Sequence, residues 1–265
     1  MIKFCPLFSS SSGNSVYVGT SECGVLVDVG RSAKQTSEML KNAGISEDAV
    51  KAIVITHEHI DHVNGLNVFA RKKDIPVYAA AGTLLALKSK NVLTPCHRDF
   101  IADDNGFEAG GLYINPFKTS HDCADGRGYV FTAPDGVTKV AVCTDTGYVS
   151  GSILSAITGC RLVYIESNHD VAMLRTGEYP YSLQQRILSN VGHLSNDACA
   201  DTLRALVNKG TTRFVLAHLS EKNNTPQLAY ETATAALEEM GALEGRDYML
   251  HVAKPSADGE AFIVG

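Results

Sequence analysis

The sequence predicts an α/β fold in which stacked β-sheets are covered by helices. Short strands in meanders come first, and strands mix with helices later in the chain. No glycine-rich phosphate loop is present, so the pattern does not favour a doubly wound nucleotide-binding sheet. The 265 residues are 45% hydrophobic and show no composition break or linker. We therefore expect one domain over residues 1–265.

The first half of the chain contains five predicted strands and three predicted helices. The strand patterns cover residues 3–8, 15–19, 25–29, 51–56 and 76–79. The helix patterns cover residues 32–43, 65–72 and 83–89. Ser32 is the expected N-cap of the first helix, and Gly44 is expected to terminate it. Residues 99–111 are expected to form an irregular connection.

The second half alternates strands and helices more regularly. Strand patterns cover residues 112–118, 128–132, 137–143, 162–166, 213–216, 248–252 and 261–264. Helix patterns cover residues 181–190, 197–208 and 227–240. Several of these strands are short apolar runs, which is typical of strands buried on both faces.

The most informative segment is residues 56–62, Thr-His-Glu-His-Ile-Asp-His, directly after an apolar strand. It places His57, His59, Asp61 and His62 within six residues. Such a group is costly to desolvate unless a positive ion lies among the donors. Imidazole and carboxylate suit zinc, manganese or iron. The alternative is a polar loop with accidental histidines.

Four further positions can complete a metal site. His121, Asp145 and His218 each follow an apolar strand, and His193 lies just before a predicted helix. Loops at strand ends can converge on a shared site, so these residues together predict additional ligands. For His193, capping of the helix over 197–208 is the alternative.

At these residues the chain closely resembles the metallo-β-lactamase superfamily. The ordered series is Asp28, His57, His59, Asp61, His62, His121, Asp145 and His218. The Ser9–Asn14 loop and the segments 166–170, 192–196 and 216–220 resemble the YycJ/WalJ branch of that superfamily. The resemblance implies a four-layer αββα sandwich with a dinuclear metal site along one edge of the two sheets.

The resemblance also implies a role for each residue. The first metal ion would be held by His57, His59 and His121, the second by Asp61, His62 and His218, and Asp145 would bridge both. Asp28 resembles a buried aspartate that orders the loop. His193 resembles the histidine that phosphodiesterases place over the scissile phosphate, and with Asp61 it is a candidate catalytic residue.

Four residues are weaker candidates for supporting the ligands or binding substrate. Glu166 ends an apolar strand and could orient a ligand histidine, and His169 follows three residues later. For both, a purely structural role is the alternative. Ser12 and Asn14 belong to a loop of small residues whose backbone donors could approach a phosphate. A plain turn is the alternative for that loop.

Two divalent metal ions (Zn, Mn or Fe) can share one hydroxide and stabilise charge on a phosphate. The favoured function is therefore a phosphodiesterase, most like a DNA exonuclease, with DNA preferred over RNA. A small phosphodiester, thioester or lactone is the alternative substrate, and a non-catalytic metal-dependent binding or regulatory module is the alternative from another class. A candidate substrate edge contains Arg175, Arg186, Lys222, Asn223 and Asn224, with Tyr179 and Tyr181 nearby. For any one of these residues, a solvated helix face is the favoured interpretation.

Composition bounds the partners and the compartment. The net charge of −6 means that a nucleic-acid partner requires a local basic patch. No stretch approaches the roughly 18 apolar residues of a membrane helix, so no membrane partner is expected. The seven cysteines are scattered and never spaced Cys-x-x-Cys. With no long apolar leader at the N-terminus, these features predict a cytoplasmic protein.

Overall fold

The structure is a computed structural model in which residues 1–257 and 259–265 are described. The chain divides into two compact units. The first comprises Met1–Pro116, Cys123–Thr138 and Lys254–Gly265, and the second comprises Phe117–Asp122 and Lys139–Ala253. The segment 57–62 therefore belongs to the first unit, and His121, Asp145, His193 and His218 belong to the second.

Strands and helices alternate along much of the described chain. The strands are β1 (Ile2–Ser10), β2 (Gly13–Gly19), β3 (Gly24–Val27), β4 (Val50–Val54), β5 (Val77–Ala79), β6 (Asp99–Ile101), β7 (Phe107–Ala109), β8 (Leu112–Lys118), β9 (Arg127–Thr132), β10 (Lys139–Cys143), β11 (Leu162–Glu166), β12 (Arg213–Ala217), β13 (Met249–Val252) and β14 (Phe262–Val264). The helices are α1 (Ala33–Asn42), α2 (Ile60–Val63), α3 (Leu66–Lys72), α4 (Ala81–Ser89), α5 (Gly151–Ile157), α6 (Val171–Thr176), α7 (Tyr181–Ile187), α8 (Asn196–Val207) and α9 (Pro226–Glu239).

A mixed sheet with the strand order β14-β1-β2-β3-β4-β5-β6 forms the centre of the first unit. β1, β2 and β3 pair antiparallel, whereas β3 to β6 pair parallel. Val27, the last residue of β3, pairs with Val54, the last residue of β4. Because both strands run in the same direction, Asp28 and the histidine segment leave the sheet at the same edge.

A continuous apolar core holds this sheet against three helices. Leu40 of α1, Phe69 of α3 and Leu87 of α4 lie in the same buried cluster as Leu26 of β3 and Ile53 of β4. Burial of each large apolar side chain contributes about 1.5–3 kcal/mol. This core fixes the strand ends from which the histidine segment begins.

The second unit is built on four parallel strands in the order β13-β12-β11-β10. β10, β11 and β12 are almost entirely buried, which agrees with their β-branched, apolar sequences. Helices connect the successive strands, α8 packs on α9, and α9 packs on β13. The parallel direction places Asp145, Glu166 and His218 at the same edge of these strands.

Side-chain caps begin most of the longer helices. Ser32 forms a capping box with Gln35 at α1, which confirms the predicted N-cap. Ser150, Asp170 and Thr225 cap α5, α6 and α9, and each side chain accepts one backbone N–H of its helix. Ser195 caps α8 by accepting the N–H of Ala198. The alternative that His193 caps this helix is therefore wrong.

The sequence patterns missed several short elements. The expected irregular connection over 99–111 is wrong, because it contains β6 and β7. Each has three residues, too few for an alternating pattern to be recognised. The helices α2, α5 and α6 were not predicted either, because with four to seven residues they are too short to show a helical pattern of apolar residues. No described helix has the length and apolar character needed to cross a membrane.

Gly30 provides a test of the packing around the histidine segment. A Cβ at this position would lie 1.8 Å from the Asp61 carbonyl oxygen and 2.4 Å from the Asn14 nitrogen. Since both are backbone atoms, we expect Gly30→Ala to lower the free energy of unfolding by about 1–3 kcal/mol or more in urea denaturation. Gly151→Ala is the control, because its Cβ meets nothing within 4 Å. A Gly30→Ala protein as stable as this control would contradict the packing.

Candidate functional site

In the first unit, three imidazoles are grouped directly after β4. The ring centroid of His57 lies 4.5 Å from that of His59 and 4.1 Å from that of His62. His57 and His62 are buried, whereas His59 and Asp61 are half-buried. α2 begins directly after His59 and turns Asp61 back, so that its Oδ2 lies 3.4 Å from Nε2 of His62.

Asp28 lies beneath this group and orients His62. Its carboxylate accepts hydrogen bonds from the Thr56 N–H, the Thr56 hydroxyl and Nδ1–H of His62, each at 2.8 Å. Burial raises the pKa of Asp28 above its ordinary value, and the bonds from His62 and Thr56 act in the opposite direction. Because Nδ1 of His62 is the donor, Nε2 carries the lone pair that can bind a metal ion.

The Ser9–Asn14 loop reaches the same group through Asn14. The Nδ2 amide of Asn14 donates to Oδ2 of Asp61 at 3.2 Å and lies 3.1 Å from Nε2 of His62. Ser12 is exposed, and its hydroxyl accepts a hydrogen bond from Arg31 at 2.6 Å. Of the two loop residues, Asn14 is the one that contacts candidate ligands here.

In the second unit, Asp145 and His218 follow β10 and β12. Both are non-glycine residues in the left-handed backbone region, with φ of 56° and 55°, and Asp28 has a φ of 60°. Such conformations cost on the order of 1–3 kcal/mol and concentrate at functional sites. Oδ1 of Asp145 lies 3.7 Å from Nδ1 of His218 and 3.9 Å from both His121 Nε2 and His193 Nδ1.

Glu166 is the fully buried acid of this group. Its Oε1 accepts from Nδ1–H of His193 at 2.6 Å and of His218 at 3.1 Å. Its Oε2 accepts the N–H groups of Thr146 and Leu194. Burial acts to raise the pKa of Glu166, but the two histidines outweigh it and lower the pKa to about 2. Glu166 is therefore ionised. Because both rings bind it through Nδ1, the Nε2 atoms of His193 and His218 point away from the carboxylate.

His121 is oriented by a backbone carbonyl. Its Nδ1–H donates to the Gly192 oxygen at 2.9 Å, which leaves Nε2 near Asp145 and 3.5 Å from Oδ1 of Asp122. Asp122 in turn forms an ion pair with Arg186. Arg186 is thereby held by an acid, which weakens its candidacy as a substrate-binding residue.

His169 is buried, with both ring nitrogens lacking a hydrogen-bond partner among the described residues. Burial lowers the pKa of His169 to about 4, so the ring is neutral at pH 7. Its backbone oxygen accepts the N–H of Asn196. The supporting or substrate role of its side chain stays a prediction.

The sequence patterns missed a network of buried amides in the second unit. Nδ2–H of Asn168 donates to the His218 carbonyl oxygen at 2.8 Å. The Asn224 amide donates to the carbonyl oxygens of Ser167 and Asn168 and lies beside the amide of Asn196. The network fixes the backbone that carries His218. The only signal in the sequence is the presence of asparagines just after β11 and β12.

The donors of both units fit a divalent metal ion. In the second unit, one ligand atom from each of Asp145, Glu166, His193 and His218 lies within 4.8 Å of the others. Imidazole nitrogens and carboxylate oxygens are the donors that zinc, manganese and iron accept. The short contacts of Glu166 to two ring nitrogens favour its role as the orienting acid rather than a ligand.

Glu166→Gln tests the orienting role without a metal ion. The carboxylate of Glu166 accepts four hydrogen bonds, from His193, His218, Thr146 and Leu194. An amide has only one oxygen, so its NH2 group would face at least one of these buried donors, which would lose its acceptor. We expect the free energy of unfolding of the chelator-treated protein to fall by about 1–3 kcal/mol. Glu178→Gln, at a carboxylate with 89% of its side chain exposed, should change it by less than about 0.5 kcal/mol. Equal stabilities of the two variants would contradict the role.

Comparisons with known proteins identify the family of this chain. The family model described as "Beta-lactamase superfamily domain" matches residues 24–219. Exodeoxyribonuclease YycJ of Bacillus anthracis is 40% identical over 255 residues, 96% of each chain. Exodeoxyribonuclease WalJ of Streptococcus pneumoniae (strain D39) is 35% identical, covering 96% of this chain and 94% of the relative.

Among solved structures, the metallo-beta-lactamase fold protein YhfI from Bacillus subtilis matches with a TM-score of 0.74 at 16% identity, covering 100% of this chain and 99% of that protein. The match confirms the predicted fold class, α/β of the metallo-β-lactamase type. The chain belongs to the metallo-β-lactamase superfamily and, within it, to the YycJ/WalJ-like proteins.

Proposed function

We propose that this protein is a metal-dependent phosphodiesterase that acts on nucleic acid as a DNA exonuclease. The observation that carries the proposal is the ligand chemistry: imidazoles and carboxylates backed by buried acids, in a chain 40% identical over 96% of its length to an exodeoxyribonuclease. The family and the relatives confirm the predicted class, a metal-dependent hydrolase of the phosphodiesterase or nuclease type.

The proposal includes a dinuclear metal centre, which the family resemblance implies. The proposed ligands are His57, His59, Asp61, His62, His121, Asp145 and His218. The oriented rings of His62, His121 and His218 and the placement of the donors at strand ends support this assignment. We also propose that residues 1–265 form a single domain. The proposed metal ions are zinc, manganese or iron.

The residues of this chain prepare the proposed centre for hydrolysis. Two divalent metal ions, when bound, supply activated water and offset the charge of the phosphate. Asp28 and Glu166 hold ring nitrogens of the histidines, so that no side chain needs to reorient during the reaction. Asn14 holds the carboxylate of Asp61, the second candidate catalytic residue, by one amide hydrogen bond.

His193 is the proposed proton donor. Its Nδ1–H donates to the buried carboxylate of Glu166, which holds the ring in one orientation. The side chain is 20% exposed, so that Nε2 can reach a substrate. A protonated Nε2 can donate a hydrogen bond to the phosphoryl group and then a proton to the departing oxygen.

The proposed substrate is DNA in preference to RNA, because the two relatives that are 40% and 35% identical to this chain carry the name exodeoxyribonuclease. A cytoplasmic location is proposed from the seven scattered cysteines, none of which is spaced Cys-x-x-Cys. No membrane partner is proposed. Ser12 and His169 keep their proposed roles as contacts to the substrate or its surroundings.

A nuclease panel tests the function. Protein loaded with zinc, manganese or iron is incubated with end-labelled single- and double-stranded DNA, RNA and bis(p-nitrophenyl) phosphate. We expect shortening of the DNA from its ends. Hydrolysis of the small ester alone would favour a small phosphodiester as substrate. Failure to hydrolyse anything with metal ions bound would favour a binding module.

Two substitutions separate proton donation from metal binding. His193→Ala should lower kcat on DNA by about 10²–10⁴-fold, the contribution of a general acid, while the metal content stays that of the parent. Asp145→Ala should remove at least one metal ion, because the proposed bridge between the two ions is lost. Kinetics and elemental analysis are measured on the same preparations. Loss of metal from the His193 variant would overturn its assignment as the proton donor.

A further inference from the structure

We propose that Arg31 binds a phosphate group of the nucleic-acid strand, next to the candidate ligands of the first unit. The inference deepens the proposed function and rests on it. Arg31 was not among the candidate residues in the sequence. Three observations support the proposal: the position of Arg31, its contacts, and the lack of an acidic partner among the residues that the structure describes.

The backbone places Arg31 beside Asp61. Val29 N–H donates to the His62 carbonyl oxygen at 2.8 Å, and Gly30 N–H donates to the Asn14 oxygen at 2.9 Å. Gly30 is packed so closely that a Cβ would meet the Asp61 oxygen at 1.8 Å. Arg31 is the next residue, and consecutive Cα atoms are about 3.8 Å apart. The residue before Arg31 is thus packed against the backbone of the candidate ligand Asp61.

The side chain of Arg31 is held in one direction. Its Nη2–H donates to the Ser12 hydroxyl at 2.6 Å, and its Cζ lies 6.0 Å from the ring centroid of Phe8. A Cβ at Gly13 would lie 2.6 Å from the Cδ and Nε atoms of Arg31. Glycine at this position therefore leaves room for the arginine side chain in this conformation. A guanidinium already ordered by these contacts loses little conformational entropy when it binds a ligand.

Arg31 lacks a counter-ion within the described part of the chain. None of those residues places a carboxylate within ion-pair distance of its guanidinium, although the side chain is half-buried. Other arginines of the chain have acidic partners: Arg98, Arg127, Arg186, Arg204 and Arg246. A partly desolvated cation without an acid is stabilised by an anionic ligand.

Phosphate is the ligand that fits this cation best. The planar fork of guanidinium N–H donors matches two phosphate oxygens, and the hydrogen bonds are charge-assisted. The bond to Ser12 is exposed, so this end of the side chain is accessible from solvent. A nucleic-acid strand carries one phosphate per nucleotide, so a strand offers Arg31 phosphates other than the one being hydrolysed. The phosphate that Arg31 binds is internal or, at a strand end, terminal.

Three variants test the proposal: Arg31→Ala, Arg31→Lys and the control Arg71→Ala, which removes an exposed arginine from the last turn of α3. Steady-state kinetics on a single-stranded oligonucleotide should show a KM about tenfold higher for Arg31→Ala, with kcat little changed. The slope of log KM against log salt should fall by about one. Arg31→Lys should restore the salt slope and only part of the KM, because lysine lacks the fork.

Two substrates separate phosphate binding from a structural role. Hydrolysis of bis(p-nitrophenyl) phosphate, which has no second phosphate, should be unchanged in Arg31→Ala. An equal loss on both substrates, or a KM and salt slope equal to those of Arg71→Ala, would overturn the proposal. Oligonucleotides with a 5′-phosphate or a 5′-hydroxyl distinguish an internal from a terminal phosphate. If Arg31 binds the terminal phosphate, Arg31→Ala raises the KM only for the 5′-phosphorylated oligonucleotide.

A binding measurement distinguishes failure of this inference from failure of the proposed function. Binding of a fluorescent phosphorothioate oligonucleotide is measured by anisotropy for the parent and Arg31→Ala. If the parent binds DNA but cleaves none, about tenfold weaker binding by Arg31→Ala supports the phosphate contact, although the nuclease proposal falls. If the parent cleaves DNA and Arg31→Ala binds it equally well, only the Arg31 inference is overturned.

Discussion

Buried carboxylates that hold imidazole rings are the interaction on which the candidate site depends. Asp28 fixes His62 in the first unit, and Glu166 fixes His193 and His218 in the second. A carboxylate in such surroundings is stable only because several donors point at it. In return it sets which ring nitrogen carries the proton, and the opposite nitrogen is left to bind a metal ion or a substrate.

The second constraint is the direction of the strands. Parallel β3 and β4 deliver Asp28 and the histidine segment to one edge, and parallel β10, β11 and β12 deliver Asp145, Glu166 and His218 to another. Asp28, Asp145 and His218 leave these strands in the left-handed backbone region, which redirects the chain abruptly. Strain of this kind persists only where the surrounding packing enforces it. The tight contact of Gly30 with Asp61 is an example of such packing.

Much of this was predictable from the sequence. Apolar runs followed by His, Asp or Glu located the ends of β4, β10, β11 and β12, since strand burial and ligand chemistry leave clear local patterns. Contacts between segments distant in sequence left no such pattern. The amide of Asn168 reaches the His218 backbone across fifty positions. The side-chain bond of Arg31 to Ser12, and the lack of an acid beside Arg31 among the described residues, likewise depend on the folded surroundings. The position of His193 before a predicted helix made it a candidate, and the family resemblance implied its role over the phosphate, whereas its bond to Glu166 required the structure.

The proposed dinuclear centre is tested most directly by crystallography of the metal-loaded protein at the absorption edge of the bound metal. The expected result is two anomalous peaks. One is coordinated by His57, His59 and His121, the other by Asp61, His62 and His218, with Asp145 bound to both. Peaks coordinated by residues of one unit alone, or no peak near these side chains in a protein that retains its activity, would contradict the dinuclear centre.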